Sequence, residues 1–158
     1  MTGGPAVVIG VGNPYRRDDG IGPAAIAELQ DLCSADVLLT VADGEPTQLL
    51  DAWAGARLAV VIDAVRCQPA SPGRIHRSTL GQLGPGDGSA STHGLGIPDA
   101  VRLAQVLERV PDRLVVYAVE AADLGFGLGL SPAVAAAVPE LVRAVLAELA
   151  LTSSPDGG

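Results

Sequence analysis

Ala6-Val7-Val8-Ile9-Gly10-Val11-Gly12-Asn13-Pro14-Tyr15-Arg16-Arg17-Asp18-Asp19-Gly20-Ile21-Gly22-Pro23 joins an apolar run to a helical pattern through a loop with glycines and two acids. Its opening residues are apolar without alternation, a run that requires burial on both faces, as an inner strand of a parallel sheet does. Glycines at 10 and 12 let the backbone turn sharply, and Asp18 and Asp19 arrive where a helical pattern begins, near the positive end of its dipole. A strand, a tight glycine turn, a loop with two acids and a helix start together describe the lip of a site.

Working outward, Ile21, Ala25, Leu29 and Leu32 recur at helical spacing and predict a helix to about Asp31. Gly22 as cap with Pro23 at the first helical position suits its start, and Asp18 or Asp19 are alternative caps. Asp36–Asp43 reads as a second strand, Thr47–Ala54 as a short helix, and Leu58-Ala59-Val60-Val61-Ile62 as a fully apolar strand ending at Asp63. The connection Gln68–Gly73 is too short for a crossover helix, so Arg74–Thr79 is expected to pair antiparallel with the strand before it.

Leu80–Gly96 is loop chemistry and long for a structureless connection, the mark of a binding loop or of disorder. A helical stripe through Ala100, Leu103, Ala104, Leu107 and Val110 follows, then a last strand Leu114–Val119 closing at Glu120. Ser131 is placed to cap a final helix with Pro132 at its first position, and Pro139 is expected to kink or restart it. Strands alternating with helices imply a three-layer α-β-α sandwich around a mostly parallel sheet of about five strands, one of them antiparallel. One domain is expected over residues 1–151, with 152–158 as a frayed tail.

Composition limits the function classes. Ten basic against 18 acidic side chains give a net charge of −8, which argues against nucleic acid or an anionic membrane as partner. Only Cys33 and Cys67 occur, far apart, so a reducing compartment fits better than a disulfide framework. No basic, then apolar leader pattern opens the chain and no apolar run approaches the ~20 residues that span a bilayer, so a cytoplasmic location is expected.

If the strands are parallel, their carboxyl ends bring Gly10-Val11-Gly12-Asn13, Asp43-Gly44-Glu45, Asp63 and Glu120 to one rim, where ligands bind in such folds. Asp18 and Asp19 are adjacent and point apart, so one of them faces the rim; helix capping is the plain alternative. Asp63, directly after an apolar strand, is half-buried and must find a partner or a cation. His93, in Ser91-Thr92-His93-Gly94-Leu95-Gly96, lies where packing gives no reason for an imidazole, and a ligand or acid-base role suits it. His76, among basic residues in Arg74-Ile75-His76-Arg77-Ser78, reads as part of an exposed edge. Arg16 and Arg17 either dock a substrate carboxylate or are simply solvated.

These pieces, taken in order, carry a resemblance. Gly10-Val11-Gly12-Asn13-Pro14, then Asp18-Asp19-Gly20-Ile21-Gly22, Val61-Ile62-Asp63-Ala64 and Ser91-Thr92-His93-Gly94-Leu95-Gly96 resemble the hydrogenase maturation endopeptidases, nickel-dependent peptidases that trim the C-terminus of the [NiFe]-hydrogenase large subunit precursor. By that resemblance Asp19, Asp63 and His93 match the metal-ligand positions, Asp18 is a supporting acid, and Glu120 and Ser131 fall in the closing segment without an assigned role. The resemblance further implies that nickel is carried by the substrate, with a site able to bind Ni²⁺, Zn²⁺ or Cd²⁺ in isolation. It implies a monomer, and a hydrolytic step in which either the substrate's nickel polarises a carbonyl or water, or Asp19 or Asp63 acts as general base in the manner of aspartic peptidases. The same three residues are therefore both the metal and the catalytic candidates.

Rival readings come from other classes. A dinucleotide-binding domain opens in the same way and Asp43 could serve as its acid, but Tyr15 stands where its third glycine belongs. A resident-zinc peptidase lacks its His-Glu-x-x-His helix. A non-catalytic hydrogenase assembly chaperone differs only in leaving the precursor uncut.

Overall fold

A computed structural model describes residues 4–80 and 96–153 of the 158-residue chain. Elements follow in the order β1 (Ala6–Val11), a 3-10 turn (Arg17–Gly20), α1 (Ile21–Leu29), β2 (Val37–Ala42), α2 (Pro46–Trp53) and β3 (Leu58–Val65). After these come β4 (Ile75–Thr79), α3 (Gly96–Leu107), β5 (Arg113–Glu120) and α4 (Pro132–Ser153). The five strands form one sheet in the order β2-β1-β3-β5-β4. β1 lies parallel to both β2 and β3, and β3 parallel to β5. Four carboxyl ends therefore share one rim.

Burial explains the order. β1 and β3 are buried along their whole length, and β5 along all but Arg113, so each needs a neighbour on both sides and a helix layer above and below. One core joins alternate residues of these strands, among them Val60, Ile62, Val115 and Val119, to Ile26 and Leu29 of α1 and Leu141 and Val145 of α4. The other joins Ala59, Val61, Leu114 and Val116 to Leu49 and Trp53 of α2 and Ile97 and Ala104 of α3. Apolar runs supply both faces at once, giving the expected three-layer sandwich.

Several expectations are corrected. β4 is antiparallel, but its partner is β5, not β3. The short connection after β3 suggested a hairpin; instead β5 is inserted between them, because fully buried β3 needs a buried parallel neighbour while the half-exposed β4 suits an edge. Asp63 lies inside β3, which continues to Val65, rather than following the strand. α1 begins at Ile21 with Gly20 as its cap, Asp18 and Asp19 occupy the 3-10 turn, and the helix stops at Leu29. α4 runs through Pro139 as one element and includes residues 152 and 153 of the expected tail; 154–158 and the loop residues 81–95 lie outside the described residues. No helix among the described residues is long and apolar enough to cross a membrane.

Candidate functional site

The loop after β1 is held by its glycines and its acids. Gly10 and Gly22 bring the start of α1 directly onto the end of β1: a Cβ on Gly22 would lie 2.6 Å from both the nitrogen and the oxygen of Val11. That close approach sets the 3-10 turn against β3, which it contacts. Asp19, half-buried in this turn, accepts the Asn13 N–H through Oδ2 at 2.8 Å, so the acid closes the loop on itself. Asp63 is 2% exposed, and its Oδ1 accepts the Ala64 N–H at 2.8 Å. Asp19 and Asp63 thus sit on two touching elements at the rim. His93, the third candidate, lies outside the described residues.

Asp18 points away from its neighbour, as adjacency requires. It is fully buried and accepts four hydrogen bonds, from the backbone N–H groups of Ala122, Asp123 and Ser131 and from the Ser131 hydroxyl, at 2.7 to 2.9 Å. Burial alone would push its pKa up, but the Ser131, Asp123 and Ala122 donors outweigh it and hold the carboxyl below the ordinary aspartate value. Asp18 is a brace for the loop between β5 and α4, and Ser131 directs its hydroxyl there instead of only heading its helix.

That loop meets the first one along a short seam. Arg17 N–H donates to Gly127 oxygen and Gly127 N–H to Tyr15 oxygen, both at 2.9 Å. Arg16 donates to the Leu124 carbonyl and lies over the Phe126 ring, 5.4 Å from its centroid, while Arg17 pairs with Asp123 at 3.6 Å. The two arginines are therefore engaged with the second loop. Phe126 is 84% exposed, with Leu128 and Tyr15 also open to solvent beside it. Behind the seam, a cavity of about 360 Å³ opens between the ends of β3 and β5, lined by Arg66, Cys67, Gln68 and the 121–125 segment.

Two clusters escaped the sequence reading. Glu120 is buried and accepts the Ser71 N–H at 2.6 Å and pairs with His76 Nε2 at 2.6 Å. These donors, Ser71 first, hold its carboxyl below the ordinary glutamate range against the opposing effect of burial. His76 is thus on an edge strand, as expected, but not idle. Glu148, on α4, accepts from Arg77, Arg113 and the Tyr117 hydroxyl. Only the antiparallel β4–β5 register brings these residues together, and it was the pairing that the sequence mis-assigned.

The family model for hydrogenase maturation proteases matches residues 25–148. A search of curated proteins finds no significant match. Among solved structures, the hydrogenase maturating endopeptidase HybD from E. coli matches with a TM-score of 0.77 and 24% identity, covering 94% of this chain and 93% of its own. HybD from Thermococcus kodakarensis matches with a TM-score of 0.73 and 22% identity, over 92% and 99%. A hydrogenase 2 maturation peptidase from a Thaumarchaeota archaeon gives 0.68 and 25%, over 93% and 99%. A family match across most of the chain, on a sheet of the same architecture, means that this protein belongs to the hydrogenase maturation protease family.

Proposed function

We propose that the protein is the endopeptidase that removes a C-terminal extension from a [NiFe]-hydrogenase large subunit precursor after nickel insertion, recognising the nickel that the precursor carries. Asp19, Asp63 and His93 are its contacts with that ion. The observation that carries this reading is the buried Asp63 carboxylate on the central strand, beside the turn that holds Asp19. Its Oδ1 already takes the Ala64 N–H, and a carboxylate held in this way at the rim keeps its negative charge where a cation can add to its partners. Two carboxylates and an imidazole suit Ni²⁺ or Zn²⁺ and leave coordination positions for the precursor's own ligands and the scissile carbonyl or a water.

In the hydrolytic step a water attacks the scissile carbonyl, the peptide bond breaks, and the proton lost by the water reaches the departing amine. Asp19 or Asp63 is the base that takes this proton, which makes the peptidase aspartic in type. Exposed Phe126, Leu128 and Tyr15 form an apolar lip suited to a partner's chain.

Incubation with nickel-loaded and nickel-free precursor, followed by intact-mass measurement, tests the reading. Loss of a C-terminal peptide only from the loaded precursor is expected, and Asp63→Asn and His93→Ala are expected to fold yet leave the mass unchanged. An uncut loaded precursor would point to the chaperone reading; normal processing by both variants would remove the site assignment.

A further inference from the structure

Cys67, His76 and Glu120 come from three different segments, and their ligand atoms lie within 4.8 Å of one another. The sheet register explains the meeting. Val65 pairs with Glu120 across β3–β5, and His76 pairs with Ala118 across β4–β5. Glu120 is therefore the diagonal neighbour of His76 on one face of the sheet, and Cys67, two residues past Val65, approaches from the other side. The donors differ in kind: a thiol, an imidazole and a carboxylate. Glu120 is buried, its side chain 5% exposed, while that of His76 is 42% exposed and Cys67 lines the 360 Å³ cavity.

We propose that Cys67, His76 and Glu120 form a second metal site, separate from Asp19, Asp63 and His93, that takes a borderline-soft divalent ion of the zinc class and leaves a fourth position open toward the cavity. Thiolate sulfur, imidazole nitrogen and carboxylate oxygen are the three zinc donor types, and three protein ligands with one open position is the arrangement of sites that accept an outside group. Bonds of about 2.0–2.3 Å in a tetrahedron hold donors roughly 3.5 Å apart. The His76–Glu120 pair, now 2.6 Å apart, must open slightly, and the Cys67 sulfur settles at the same spacing from within 4.8 Å. Rotation of the half-exposed His76 ring and of the thiol supplies this.

Charge favours the site as well. The Cys67 thiolate and the Glu120 carboxylate together neutralise a divalent ion, so the filled site carries no net charge in this largely buried place. The ligand form of a cysteine is the thiolate, so the thiol proton leaves to solvent as the Cys67 sulfur–metal bond forms. Asp63 pairs with Ala118, and Ala118 with His76, so the two sites stand in one row across the same face. Two strand spacings separate their backbones, about 10 Å.

Cobalt titration of the reduced, chelator-treated chain tests this without reference to peptidase activity. A thiolate-to-cobalt charge-transfer band with the intensity of one cysteine–cobalt bond per chain, which Zn²⁺ displaces, is expected. Cys67→Ser should abolish the band, and His76→Ala should weaken binding by at least about a hundredfold, because even supporting groups around a metal commonly cost 10–100-fold. Cys33→Ser and Asp63→Asn should leave the band unchanged, which separates this site from the proposed nickel-recognition residues. Absence of the band in the unmodified chain, its survival in Cys67→Ser, or a His76→Ala titration identical to the unmodified chain's would overturn the proposal.

Discussion

The Asp18 carboxylate accepts both the backbone N–H and the hydroxyl of Ser131, 113 residues further along the chain, at 2.7 and 2.9 Å. With the Ala122 and Asp123 N–H groups also directed at Asp18, one buried side chain fixes the β5–α4 loop against the first loop. The acid next to Asp19 is thus structural, and the pair divides its work by pointing apart.

Asp18→Asn should therefore act through stability. An amide can accept at only one of the two carboxylate oxygens, so at least one N–H donor is left facing an NH₂ group in a buried place. The expected loss is roughly 3 kcal/mol, a fall in Tm of about 10 °C for a chain of this size. Calorimetry checks it; a change below about 2 °C would mean that the loop is held by other contacts.

Gly22→Ala should be as damaging for a different reason. The new Cβ would stand 2.6 Å from Val11 nitrogen and oxygen and 2.9 Å from Gly10 carbon, all backbone atoms that cannot rotate aside. Overpacking of this kind costs about 1–3 kcal/mol or more. Because α1 would have to lift from β1, carrying the Asp19 turn with it, precursor cleavage should fall in the fraction that still folds. Denaturant unfolding together with a cleavage assay reads both.

Tyr117 gives stability a dependence on high pH. Its hydroxyl is buried and donates to Glu148 at 2.8 Å, and burial, then the hydrogen bond to Glu148 and that group's charge, push its pKa from 10.0 to about 12. The folded chain holds this proton more tightly than the unfolded one, so the contribution is complete below pH 10 and is lost between pH 10 and about 12. Glu148 has the opposite sign. Arg77, opposed by burial and joined by Tyr117 and Arg113, lowers its pKa, so its contribution is present above the ordinary value of 4.5 and fades as pH falls through its lower folded value. Tyr117→Phe should flatten the alkaline limb of a Tm-against-pH curve while the acid limb remains.

Phe126→Ala should leave the fold intact, since the ring is 84% exposed. If the lip receives precursor, KM for cleavage should rise several-fold with kcat little changed, the pattern of lost ground-state binding. Steady-state kinetics on nickel-loaded precursor decide this; an unchanged KM would take Phe126 out of the substrate path.

Sequence alone determined the layers of this protein and the loop that carries Asp19. Apolar runs such as Ala6–Ile9 and Leu58–Ile62 satisfy only a strand covered on both faces, and glycines at 10 and 12 mark the sharp turn after the first; such requirements are local and can be read in order. Asp63 was legible as a buried acid for the same reason. That β5 lies between β3 and β4, that Asp18 reaches Ser131 across 113 residues, and that Cys67, His76 and Glu120 meet are matters of three-dimensional packing alone. Strand order is chosen by competition among whole surfaces for burial, and a hydrogen bond or ligand cluster between distant segments leaves no periodicity in any one of them.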